Sequence, residues 1–153
     1  PFGGRVEKLD SVAASLAASS FTAAIRSAGE PLCFDARVLP LGRGEVVDYL
    51  IWRQAECWRN CMNSYAFYTL VDEGLSRERA AEQLKGKGAD ALHELLFERG
   101  INLAHTPAWH RRGIVAHLAE HVGVRIDEAP LFSSPEGRAF VEDALRVRDG
   151  DGE

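Results

Sequence analysis

Residues 45–71, EVVDYLIWRQAECWRNCMNSYAFYTLV, carry the longest helical pattern in the chain. At about 100° per residue, Val47, Ile51, Trp58, Cys61 and Tyr65 gather on one side of such a helix. Tyr49, Arg53, Glu56, Asn60 and Asn63 fall on the opposite side, within an arc of roughly 80°. The first set can be buried. The second is not the Lys/Glu mixture of a plainly solvated face. Arginine offers a planar fork for phosphate or carboxylate, and asparagine offers both a donor and an acceptor. Two readings of this stripe stand side by side. One is a recognition surface. The other is a half-buried helix steadied by an Arg53–Glu56 pair at i,i+3. Trp58 reads as core, and Trp52 lies at the border, placed to stack on a base or to seal the core.

The flanking segments read as shorter elements. Residues 5–28, rich in Ala and Ser with Val12, Leu16, Phe21 and Ile25 as larger apolar groups, predict one helix ended by Gly29 and Pro31. LCFDARVL (32–39) reads as a short strand. Residues 76–84 and 89–98 predict two helices parted by Gly-Lys-Gly. Residues 112–126 read as one or two strands. Residues 133–148 predict a last helix, with Ser134 as cap, Pro135 in the first turn and Glu136 favouring the dipole. The expected class is α+β in one domain spanning 1–153, with an acidic, frayed tail at 149–153.

The chain has 153 residues, 46% of them hydrophobic, and a net charge of −5. That length suits one domain with a sizeable core. With this charge, contact with nucleic acid must come from a local basic patch. No run approaches the ~18 apolar residues of a membrane span. Three cysteines, an odd number, point to reduced thiols in a cytoplasmic protein rather than a disulfide framework. The chain opens at Pro1 without a methionine, which leads us to expect a fragment or processed product.

Several clusters bear on chemistry. Arg5 and Lys8 lie one turn apart near a helix start, and Arg37 is close by in sequence. Together they can meet around a polyphosphate through charge-assisted bonds, or they are three separate surface charges. HLAEH (117–121) matches the H-x-x-E-H inverted zincin pattern. That pattern needs a helix, so that His117 and His121 share a face, whereas Val115, Val122, Val124 and the nearby glycines favour strand. A zinc-binding protein using His117 and His121 therefore stands as an alternative. Cys57 and Cys61 share a helix face, the usual arrangement of buried apolar thiols. Asp72-Glu73 reads as a helix-end loop.

Taken together, FDARV (34–38), EVVDYLIWRQAECWRN (45–60), ELLFERGIN (94–102) and TPAWHRRG (106–113) resemble the tRNA-His guanylyltransferase family and its 3′-to-5′ tRNA-repair relatives, in order and spacing. RVEKLDSVAASLAASSF (5–21) is similar to the helix that follows the family's metal-binding segment. The resemblance implies a C-terminal half of such a protein, within a polymerase-palm-like domain with a long central helix and a helical C-terminal extension. It implies a nucleotidyltransferase that activates a tRNA 5′-monophosphate, after which the 3′-hydroxyl of an incoming NTP, usually GTP, attacks the activated end. GTP and ATP are the implied substrates, Mg2+ the implied cofactor, tRNA the partner and a homotetramer the assembly. Arg5, Lys8 and Arg37 match the family's triphosphate contacts, and Arg53, Asn60 and Asn102 fall at tRNA or nucleotide contacts. The family's metal-binding carboxylates lie upstream of the residues matched here. No catalytic residue or metal ligand is therefore expected in this chain, and the chain alone is expected to be inactive. A non-catalytic RNA- or nucleotide-binding remnant is the other reading. Guanylyltransferases acting on tRNA-His carry His-Ile-Asn-Asn where this chain has Trp58-Arg59-Asn60-Cys61, which points towards the broader repair relatives. A lysine common in the family is Leu92 here.

Overall fold

A computed structural model describes residues 2–25, 32–119 and 122–146. The described residues are mostly helical, with one two-stranded sheet among them. It divides into two compact units, residues 1–41 and 42–153.

The first unit holds a short 3-10 turn, Phe2–Gly4, and helix α1, Val6–Ala24. Ser11, Ser15, Ser19 and Thr22 turn their hydroxyls back onto carbonyls three or four residues earlier. That habit keeps small polar side chains tight against the helix. Residues 32–39 are extended but form no strand. A strand requires a partner ladder, and no described strand lies along this segment. It is held by side chains of α1 instead. The Phe34 ring meets Phe21 at 5.7 Å, and Asp10 Oδ1 accepts the Val38 amide at 2.7 Å. Four extended residues and eleven helical ones cover comparable lengths, about 13 and 16 Å. The segment therefore runs antiparallel to α1. Residues 26–28, the expected end of this helix, lie outside the described residues.

The second unit is built on α2, Arg43–Asp72. Glu45 Oε2 accepts the Gly42 amide at 2.7 Å and satisfies a donor at the helix start. After the Gly74 turn, Ser76 caps α3, Arg77–Leu84, and α4 follows at Ala89–Phe97. The C-terminal half of α2 packs on both. Met62, Ala66, Leu70, Ala80, Leu92, Leu95, Leu96 and Leu103 form the larger core there, with Trp58 and Tyr65 partly buried against it. A second 3-10 turn, Leu103–His105, leads to the five-residue α5, Ala108–Arg112.

Strands β1, Val115–Ala119, and β2, Val122–Ile126, pair antiparallel, with His117 opposite Val124. The chain ends its described part in α6, Pro135–Arg146. A smaller core of Val47, Ala129, Phe132 and Val141 fills the space around the N-terminal half of α2. One polar side chain serves this packing. Gln54, buried on α2, donates to the Pro130 carbonyl at 2.8 Å and accepts the Phe132 amide at 2.9 Å. Both of its functions are satisfied, so the loop before α6 is pinned to the central helix at little electrostatic cost. The acidic tail at 149–153 lies outside the described residues.

Candidate functional site

A cleft of about 680 Å³ lies between the C-terminal half of α2 and α5 in the second unit. Four side chains spaced by four residues, Asn60, Ser64, Tyr68 and Asp72, run along one wall. Residues at i and i+4 sit one above another on a helix face, so the wall follows directly from the spacing. Trp109 and His110 of α5 form the opposite wall. Tyr65 and His110 Nδ1 share a hydrogen bond at 2.7 Å, and the Trp109 ring stands edge-on to His110. This dyad orients α5 against α2. Tyr68 and Trp109 are both about half exposed, at 54% and 47%, so part of each ring is open to solvent.

The cleft floor is chemically quiet. Burial pushes the Cys61 thiol above its ordinary pKa, the positive charge of Arg111 opposes this, and Cys57 adds to the rise. Burial likewise raises the Tyr65 hydroxyl, helped by Cys61. Both groups are therefore protonated at neutral pH, and Cys61 is not the thiolate that nucleophilic chemistry needs.

Among the expected site residues, the cleft takes only Asn60. Arg53 lies elsewhere on α2, its guanidinium 5.5 Å from the centroid of the exposed Trp52 ring, which in turn meets Tyr49 at 5.7 Å. The expected Arg53–Glu56 pair does not form. Glu56 pairs with Arg59 instead, because helical side chains lean towards the N-terminus and a long arginine reaches back one turn onto an acid. Asn102 accepts the Ala104 amide at 2.9 Å and caps the local 3-10 turn. Arg5, Lys8 and Arg37 are all exposed in the first unit. The Asp10–Val38 bond sets the residue after Arg37 against α1 two positions beyond Lys8.

His117 sits in β1, not in a helix, so this stretch does not build the helical face that H-x-x-E-H requires. Its ring meets Phe140 at 5.8 Å, and its Nδ1 is buried without a hydrogen-bond partner among the described residues. His121 lies outside the described residues. Cys57 is half-buried and Cys61 buried, as the shared helix face implies. Among the described residues no group of three His, Cys, Asp or Glu side chains could hold a metal ion. These residues do not fit the Mg2+ that the resemblance implies. No described helix is long and apolar enough to cross a membrane.

Sequence reasoning does not single out Tyr68, Trp109 and His110, and it reads Asp72 as part of a helix-end loop, whereas Asp72 is the last residue of α2 and lines the cleft. The signal lies in the four-residue spacing that continues Asn60 into Ser64, Tyr68 and Asp72, beyond the stripe that ends at Asn63.

Residues 44–138, nearly all of the described second unit, match the family model described as "Thg1 C terminal domain". This defines the class of the helical spine and its packed hairpin. The chain belongs to the tRNA(His) guanylyltransferase family and corresponds to its C-terminal portion. It is 33% identical over 156 residues to a probable tRNA(His) guanylyltransferase of Mus musculus, covering 96% of this chain and 52% of that protein. It is 40% identical over 86 residues to a probable tRNA(His) guanylyltransferase of Drosophila melanogaster, covering 54% of this chain and 30% of that protein. Among solved structures, it resembles a bacterial tRNA(His) guanylyltransferase (Thg1)-like protein in complex with ATP. The TM-score is 0.73 at 28% identity, covering 96% of this chain and 60% of the other. The chain thus spans about half or less of the length of these curated relatives.

Proposed function

We propose that this chain is the triphosphate- and tRNA-binding portion of a tRNA 5′-end nucleotidyltransferase, adding nucleotides in the 3′-to-5′ direction within a polymerase-palm-like protein. Family membership supports the reaction class, and the ATP complex of the bacterial relative supports a nucleoside triphosphate as ligand. The observation that carries the reading to named residues is the Asp10–Val38 bond. It draws the extended segment bearing Arg37 alongside the N-terminal part of α1, which bears Lys8 and follows Arg5. Three exposed cations on adjoining backbone can grip a polyphosphate, because each guanidinium or ammonium forms charge-assisted bonds with phosphate oxygens. Arg53, Asn60 and Asn102 serve contact with tRNA or nucleotide in this reading. The metal ligands of the transfer step belong outside residues 1–153.

The test is nucleotide binding by the chain. GTP and ATP affinities are measured by titration calorimetry for the native sequence, Lys8→Ala and Arg37→Ala. Both positions are exposed, so these variants keep their fold. Each loss of a phosphate contact should weaken binding about tenfold or more, the scale of a charge-assisted bond. Unchanged affinity in both variants would remove the triphosphate assignment. Binding of nucleotide and tRNA without transfer in the full-length protein would favour the non-catalytic reading.

A further inference from the structure

The α2–α5 cleft does not end at Tyr68. A second groove, about 590 Å³, adjoins it between α2 and the loop after α3. The two share Ser64 and Tyr68. The second groove is lined by Asn63, Phe67, Lys85 and Lys87. Lys85 and Glu82 make only an open contact at 3.5 Å, each side chain 75% exposed, which leaves the ammonium in water and available. The chemistry therefore changes across Tyr68. Both sides carry an amide and an aromatic ring, but the cleft adds Trp109 and the Asp72 carboxylate, and the second groove adds two ammonium groups.

That division suits unpaired nucleotides, whose base faces and phosphates point in different directions. We propose that the two grooves form one track for a single-stranded segment of RNA. Bases stack on Tyr68 and Trp109 in the cleft, and the adjoining phosphates lie against Lys85 and Lys87. This deepens the proposed function, on which it rests, by naming the kind of RNA contact. In a paired stem the base faces are hidden by their neighbours, and proteins meet chiefly the backbone and the shallow groove. Exposed aromatic faces are useful only where bases are splayed.

Length and charge agree with this assignment. Asn60 and Asp72 are twelve residues apart, about 18 Å along the helix. A stacked strand advances about 3.4 Å per nucleotide, so the cleft accommodates several. Asp72 is the last residue of α2. A carboxylate there opposes the helix dipole, so helix stability does not account for it. Beside exposed rings it repels phosphate and accepts N–H donors from a base edge, which keeps the backbone on the lysine side.

The 153-residue chain is titrated at several salt concentrations with a fluorescein-labelled unstructured oligoribonucleotide and with the same sequence annealed to its complement. The single strand should bind tighter. Tyr68→Ala should weaken it at least fivefold, the scale of one base–aromatic stack. Lys85→Gln with Lys87→Gln should lower the salt slope by about 1.4, at about 0.7 for each phosphate contact in a single strand. Equal affinity for single and paired RNA, or wild-type binding by both sets of variants, overturns the track. Intact tRNA that binds but is not displaced by the oligonucleotide overturns the track and leaves the proposed function standing. Loss of all RNA binding overturns both.

Discussion

At the residue scale, the two sides of α2 make opposite demands. Trp58 is partly buried against the larger core, its ring 6.2 Å from His93. Asn60, two residues on, is exposed at the cleft. Trp58→Ala should cost about 2–3 kcal/mol, below the loss for a fully buried ring. Asn60→Ala should stay within about 0.5 kcal/mol. Thermal melts check both, and the reverse order would mean the helix faces are misassigned. Gly137 is under a different constraint. A Cβ there would stand 1.9 Å from the Leu131 carbonyl oxygen and 2.7 Å from the Phe132 Cα. Both are backbone atoms, in the loop that Gln54 holds in place. Gly137→Ala cannot be relieved by a rotamer change, and it should cost about 3 kcal/mol in denaturant unfolding. A loss under about 1 kcal/mol would show that the loop yields.

At the element scale, α3 and α6 begin alike, with a serine cap and a glutamate two residues later. Ser76 accepts the Arg79 amide and Ser134 the Gly137 amide, at 3.3 and 3.1 Å. Glu78 and Glu136 are each held below the usual carboxylate pKa, first by their own backbone N–H and then by the cap serine. A depressed folded pKa contributes stability above the unfolded value. That contribution disappears as pH falls through the folded value. Both helix starts should therefore loosen on acidification below the ordinary carboxylate range. Amide exchange in α6 should report this, and Ser134→Ala should cost about 1 kcal/mol at neutral pH while flattening the acid dependence. An unaltered pH profile in that variant would sever the link between cap and carboxylate. These ends were legible in sequence, because caps are local chemistry. So were the span of α2 and the α3–α4 pair, whose periodicities are strong, whereas the weaker pattern at 112–126 gave strand without fixing one strand or two. The stretch at 32–39 was read as strand because extended propensity looks the same whether its partner is a strand or a helix. The five-residue α5 was missed because one turn carries too little pattern to register. The cleft escapes with it, since Trp109 and His110 on that turn close the side opposite α2.

At the scale of the molecule, all the buried residues among those described lie at Val47 or beyond, in the second unit, and α1 buries none. The family match, at 44–138, falls in that same unit. The cations proposed for the triphosphate lie in the first unit, and the cleft and lysine groove in the second. In the proposed function, binding is distributed over both. Chemistry makes a different demand. Phosphoryl transfer with two divalent ions needs clustered carboxylates to hold the metals and neutralise developing charge. The described residues contain no such group of three, and the resemblance places the family's ligands upstream of the matched segment. The chain also spans only 52% of its Mus musculus relative. Residues 1–153 alone should therefore bind nucleotide and RNA yet leave the tRNA 5′ end unextended. The measurement incubates the chain with 5′-monophosphorylated tRNA, labelled GTP or ATP, and magnesium, and resolves the products on a sequencing gel. Adenylylated or guanylylated 5′ ends, or longer tRNA, would show that these residues assemble a metal site of their own. Absence of product with nucleotide binding intact, followed by extension once a full-length protein carrying the same residues is supplied, would separate recognition from catalysis along the chain.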